Sequence, residues 1–547
     1  MSATKSGGGS WRLARSSAVV ALAVGVSRVL GLVREQVFAG LFGAGRELDA
    51  FVTAFRIPNL FRDLFAEGAL SAAFVTTFTK SRAREGEAAA WRLASMVTNA
   101  LAVVVGLLVV LGMVFSPEIV DLIAPGFSAV PGKAELTADL TRLLFPFLLF
   151  IALAAVAMGV LNTCGHFGVP ASASSFFNLA SILVGLLGAW WLAPDYFDVI
   201  WQSGGRAILD GEPAARAMQG MALGTLAGGL LQLGIQLPSL WQVGYRQRLA
   251  LSFRDPGVRE VLRLMGPATI GAAAVQVNVL VSTNFASTLG DGAVSWLNVA
   301  FRFMQLPIGL FGVAVGTVAL PRASRQIAAE DHEAFLATIT SALRMVFALC
   351  IPAAVGLAVL SEDVVGVVYQ HGRFGPRDTE MAARALVAYT IGLAGYANVK
   401  VLVPAFYALG DARTPALVAL FSILVNAILA WLAIHQFGLG HTALAGVTSA
   451  VALVNFSILL VLIQSRVGRL KGLGDALVPI LAGAAAVGVV ALALRRLVPG
   501  EDFSSRMTVL ILAIPLGAGA FMMVAERCGL RELEGLRRRL AARWRSR

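Results

Sequence analysis

Apolar residues come along this chain in uninterrupted stretches of about 20, long enough to cross roughly 30 Å of hydrocarbon as a helix, while charged residues gather in the gaps. The windows fall near 17–42, 49–79, 93–116, 136–161, 170–193, 217–240 and 259–289. A second set follows near 296–321, 336–360, 380–407, 413–435, 441–464, 475–497 and 506–526. The pattern predicts an all-α polytopic membrane protein with about 14 transmembrane helices. The first window carries Arg28, Arg34 and Glu35 in its second half and lacks a small-residue cleavage site, so it reads as a retained span.

The gaps alternate in charge. One set holds Lys80, Arg82, Arg84 and Arg92, then Arg246, Arg248 and Arg254, then Arg322 and Arg325, then Arg466, Arg469 and Lys471. The other holds Glu118, Asp121, Asp195, Asp198, Glu362, Asp363 and Asp502. This is the positive-inside asymmetry, and an even number of crossings puts both termini in the cytoplasm. The basic tail from Arg527 to Arg547 reads as a helix on lipid headgroups.

A repeat divides the spans. Ala54-Phe55-Arg56 recurs as Ala300-Phe301-Arg302, and at the same offset Asn59 meets Gln305, Leu60 meets Leu306, and Leu64-Phe65 meets Leu310-Phe311. Six crossings separate the copies, so both enter the membrane in the same direction and the repeat is parallel. The expected organisation is a cytoplasmic N-terminal tail at 1–16, an N-lobe of six helices at 17–240 and a C-lobe of six at 241–464. A C-terminal helix pair at 465–526 and the basic tail at 527–547 complete it.

Composition agrees: 57% of residues are hydrophobic and only 14% charged, which excludes an ordinary soluble domain. The net charge of +12 lies mostly in loops between spans and so does not indicate nucleic acid. Cys164, Cys350 and Cys528 are far apart, and His166, His332, His371, His435 and His441 sit at loops or helix ends, so no metal site is expected.

Five charges stand out against this background. Arg28, Arg34, Arg56, Arg62 and Arg302 lie within apolar spans. A guanidinium cannot shed its proton, and each costs roughly 2.5 to 3.5 kcal/mol at a membrane-helix centre. Water, a carboxylate or an anionic substrate must receive them. At about 100° per residue, Asp49, Arg56, Asn59, Asp63 and Glu67 form one stripe of the second helix, so that face looks into water or protein. Arg62 falls off the stripe unless Pro58 kinks the helix. Ion pairs that merely fix helix packing are the competing explanation, and Arg56 fits it through Asp49, Asp63 or a neighbouring carboxylate. Arg302 fits it poorly, having few carboxylates in its own helix and Phe301 and Gln305 beside it. Guanidinium forks match phosphate oxygens, so the remaining set points to an anionic headgroup.

The stretches Ser27-Arg28-Val29-Leu30-Gly31-Leu32-Val33-Arg34-Glu35, Asp49-Ala50-Phe51 and Pro58-Asn59-Leu60-Phe61-Arg62 resemble the MurJ (MviN) lipid II flippase family. The likeness continues through Phe65-Ala66-Glu67-Gly68-Ala69, Val294-Ser295-Trp296 and Tyr369-Gln370-His371-Gly372-Arg373-Phe374, and from Lys400 to Pro415. That family belongs to the multidrug/oligosaccharidyl-lipid/polysaccharide exporter superfamily. The resemblance implies two six-helix lobes and two further helices that form a groove for the polyprenyl tail. It also implies transport of lipid II, the undecaprenyl-diphosphate-linked peptidoglycan precursor, across the bacterial inner membrane. Family arginines in the central cavity match Arg28, Arg34, Arg62 and Arg302, and an acidic position matches Asp49.

Some members carry acids where this chain has Phe301 and Gln305, which leaves Arg302 less neutralised. No cofactor is expected, and the membrane potential is the expected drive. Sodium coupling is not favoured, because the interiors of spans seven, eleven and twelve contain no Asp or Glu and leave only amides such as Asn278 and Asn426. The expected form is a monomer among membrane lipids, with room for partners from cell-wall synthesis or division. The alternatives are another polyprenyl-diphosphate-oligosaccharide or drug exporter of the superfamily, or a membrane glycosyltransferase. Cationic drugs suit the arginines poorly, and the short acidic loops lack a paired catalytic motif.

Overall fold

Apolar side chains without water nearby leave the backbone one economical choice, which is to satisfy its own polar groups within each helix. The computed structural model describes residues 7–62, 69–203 and 209–530, with the backbone alone at 7–18, 69–72, 201 and 266–275; no strand occurs among them. The helices run α1 Gly7–Phe42, α2 Arg46–Arg62, α3 Ala69–Glu85, α4 Glu87–Val114, α5 Ser116–Ile123, α6 Lys133–Thr163 and α7 Gly168–Leu192. Next come α8 Pro194–Ser203, α9 Glu212–Gly234, α10 Leu237–Gln242, α11 Pro256–Ser287, α12 Ala293–Pro307, α13 Ala314–Ala328 and α14 His332–Val359. The rest are α15 Ser361–Tyr369, α16 Pro376–Thr390, α17 Leu393–Ala408, α18 Arg413–Trp431, α19 His441–Val467, α20 Leu473–Leu497 and α21 Phe503–Arg527.

Among the described residues 10 helices are long and apolar enough to span a bilayer, or 11 if α16 and α17, bent by 48° at their junction, are one span. The other expected spans coincide with α1, with α2 and α3 on either side of undescribed residues, and with α11; these are not among the ten, so the count of fourteen is not fixed by apolarity alone. Helix ends follow local chemistry. Asp255 caps α11 by accepting from the Gly257 and Val258 amides at 2.9 and 3.3 Å, with Pro256 in the first turn. Asp331 and Asp502 cap α14 and α21 in the same way. Pro307 has no N–H to give, and the helix widens to a π turn over Ile308–Val313 before continuing as α13.

The chain divides into two compact units, the first reaching Gly292 and including His371–Phe374, the second holding 293–370 and 375 onward. Packing therefore divides the chain after α11, whereas the repeat suggests a boundary at 240. The reason is that α11 packs on α3, Asn284 donates to the Leu122 carbonyl at 2.9 Å, and the Gly126 amide donates to Ser287 at 3.2 Å. In the first unit α7 and α9 meet along Gly220, Gly224 and Gly228. A Cβ at Gly224 would stand 2.3 Å from Gly185 Cα, closer than any real contact. This is small-residue packing, which replaces the hydrophobic drive that is missing between helices in lipid. In the second unit α20 and α21 pack on each other, α20 on α14, and α21 on α15.

Each unit carries one copy of the repeat, on α2 and α12. Ala54 and Ala300 are both fully buried, and Phe55 and Phe301 both pack on aromatic rings of a neighbouring helix.

Candidate functional site

The α1 arginines stand on a helix packed along α7. Arg28 is exposed, and Arg34 is mostly covered. The Arg34 guanidinium lies 5.1 Å from the Phe177 ring centroid and 6.0 Å from that of Phe55, with the Glu35 carboxylate at 3.8 Å. The rings belong to a packed series, Phe51 to Phe55 at 5.9 Å, Phe55 to Phe147 at 5.3 Å and Phe147 to Phe177 at 5.5 Å. The charge thus rests on π faces supplied by α2 and α7, an arrangement that attracts the cation.

Along α2 the polar stripe separates into two functions. Asp49 is 0% exposed and accepts from Lys133 Nζ at 2.9 Å and from the Gly292 amide at 2.8 Å. Lys133, with its side chain 1% exposed, also reaches Asp291 at 2.7 Å and lies 4.2 Å from the Phe127 ring centroid. Asp49 is therefore half of a buried ion pair that ties α2 to α6 and to the residues after α11. In the sequence Lys133 precedes an apolar window and reads as a loop charge, with no signal that it meets Asp49. Arg56 lies about two turns further along α2 and donates to the Thr283 hydroxyl of α11. Asn59 and Arg62 are partly covered, and the Asn59 Oδ1 has no hydrogen-bond partner among the described residues. Asp63 and Glu67 lie outside the described residues.

The C-terminal end of α1 carries a second polar cluster. Arg373 donates to Asp210 at 2.7 Å and to the Tyr196 hydroxyl at 2.8 Å, and its amide donates to the Gly40 carbonyl at 2.8 Å. Tyr196 in turn donates to the Leu41 carbonyl at 2.7 Å. Burial pushes the Glu47 carboxyl above its ordinary range, and Asp210 adds to the effect while Arg373 opposes it.

Arg302 belongs to the second unit, exposed on α12. Its helix is oriented by aromatic anchors. Phe301 lies 5.4 Å from Tyr389 and 6.4 Å from Tyr396, Phe303 lies 5.9 Å from Tyr369, and the Trp296 indole donates to Asp378 at 3.0 Å. Phe301, where an acid could have stood, is a packing residue here.

Two helical units, each with a polar helix carrying its copy of the repeat, define a two-lobed membrane transporter. The fold agrees with that of an inward-facing multidrug resistance MATE transporter of the MOP superfamily, at TM-score 0.62 over 81% of this chain and 95% of that one, with 16% identity. The family model described as lipid II flippase MurJ matches residues 38–514, and the chain belongs to that family. A probable lipid II flippase MurJ of Vibrio cholerae is 36% identical over 459 residues, 82% of each chain, and the lipid II flippase MurJ of Burkholderia cenocepacia is 36% identical over 406 residues, 73% of this chain and 74% of that one. The solved structure of a lipid II flippase MurJ in an inward closed conformation has a TM-score of 0.73 at 26% identity, covering 92% of this chain and 97% of that one. The protein is thus a multi-pass transporter of the bacterial inner membrane and not an enzyme.

Proposed function

We propose that this protein flips lipid II from the cytoplasmic to the periplasmic leaflet by alternating access of its two lobes. Membership of the MurJ family across residues 38–514 carries the substrate. Arg28, Arg34, Arg62 and Arg302 receive the diphosphate and the attached sugars, while the polyprenyl tail stays in the bilayer beside α20 and α21. The support for this division of labour is that Asp49, the acid of the α2 polar stripe, is engaged by Lys133. Both termini lie in the cytoplasm, as the loop charges favour. The membrane potential drives export, since each negative charge leaving a negative interior gains roughly 2.3 kcal/mol per 100 mV, and a diphosphate gains about twice that.

Reconstitution in vesicles with labelled lipid II tests substrate and drive together, with the potential and a sodium gradient imposed separately. The expected result is transport that responds to potential. Alanine at Arg28, Arg34, Arg62 or Arg302 lowers transport by about 10- to 100-fold, the worth of a charged hydrogen bond, while the protein still inserts. Full transport by all four variants overturns the assignment.

A further inference from the structure

Resting on the reading of Arg28 and Arg34 as headgroup ligands, we infer that Phe177 and Asn178 of α7 are positioning residues for lipid II transport, setting where those two guanidinium groups stand. Asn178 is 7% exposed and donates through Nδ2 to the Ser27 carbonyl at 3.0 Å, the peptide that precedes Arg28. The same group reaches the Ser174 carbonyl of its own helix at 3.1 Å. One turn along α1, the Ser175 hydroxyl donates to the Ala23 carbonyl at 3.4 Å. Carbonyls of a helix already serve their own ladder, so these donors act as a register between α1 and α7 and fix the rotation of α1 about its axis. Gly31 faces the same amide, and a Cβ there would stand 3.6 Å from Asn178 Nδ2, an ordinary contact.

The neighbouring residue acts on the other arginine. Phe177 is 8% exposed, backed by Phe147, and presents its ring to Arg34. Any large apolar side chain would fill that space. Only an aromatic face also attracts the cation, and a stacked guanidinium keeps its N–H fork directed away from the ring, in the plane that phosphate oxygens use. Two consecutive residues of α7 thereby govern the backbone under Arg28 and the side chain of Arg34.

The test uses the full-length protein in lipid nanodiscs, with lipid II affinity and the thermal midpoint measured on the same samples. Phe177→Leu should weaken lipid II binding by about 3- to 30-fold with little change in midpoint, and Phe177→Trp should restore it. Phe177→Leu added to Arg34→Ala should cost nothing beyond Arg34→Ala alone. Normal binding by Phe177→Leu beside a weakened Arg34→Ala overturns the positioning role and leaves the arginine reading intact. Losses that multiply in the double variant also overturn it, because they mean simple packing. Normal binding by Arg34→Ala overturns the headgroup reading itself. If Phe177→Leu does not fold, Asn178→Leu combined with Arg28→Ala is read by the same criteria.

Discussion

Lys133 and Asp49 face each other with almost no exposure, so neither charge has solvent to fall back on. Removing one partner of such a pair strands the other, a change worth about 3–5 kcal/mol, whereas removing both together is far milder. Lys133→Met should therefore lower the thermal midpoint sharply, and Lys133→Met with Asp49→Asn should recover most of it. Glu47, on the same helix and also buried, behaves in the opposite sense to a paired acid. Its carboxyl is held above the ordinary value of 4.5 by burial, so the protonated form is the one that folding favours. Its contribution is complete below that value and is lost as the pH rises through the raised one. Glu47→Gln should flatten that part of a pH–stability curve measured by chemical unfolding. The arginines were legible from sequence because a charge inside an apolar span is costly wherever it points. The ion pair of Asp49 is not legible there, since its partner lies 84 residues away and only the packing of α6 on α2 brings the two together.

At the scale of helices, hydropathy located the elements well, because spanning the bilayer demands one length and one composition. What it could not supply was which faces meet. Gly220, Gly224 and Gly228 recur every fourth residue on α9, yet the sequence alone does not say that Gly188 and Gly185 of α7 receive the first two and Phe177 and Ser181 the third. Gly224→Ala should cost about 1–3 kcal/mol by forcing α7 and α9 apart, while Gly234→Ala, at an open position of the same helix, should not destabilise; thermal unfolding of both separates seam from propensity. The C-terminal pair is fixed more by polar contacts than its apolar sequence suggests. Arg506 of α21 is 4% exposed and donates to Gln370 at 2.6 Å, and Arg495 of α20 pairs with the buried Asp363 at 3.1 Å. Both reach residues around α15, so the pair is anchored to its own unit at that end.

For the whole molecule, the repeat predicted two lobes, and packing adds α11 and the four residues His371–Phe374 to the first of the two compact units. A tetrapeptide from late in the chain is thus part of the fold of the early half, through Arg373 and its amide. Arg373→Ala should speed amide hydrogen exchange at residues 371–374 and lower stability by about 1.5–3 kcal/mol, the value of a charged hydrogen bond; unchanged exchange would mean that the segment is held by other contacts. The Lys133–Asp49 pair also bears on how the chain is made. At about 5–20 residues per second, the 84 residues between the partners take on the order of 4–17 s to synthesise. During that interval Asp49 waits without Lys133, its partner in the finished fold. Early helices must therefore wait near the insertion machinery, or in a wet environment, until α6 arrives, and the nascent chain passes through a stage whose charge balance differs from that of the finished protein.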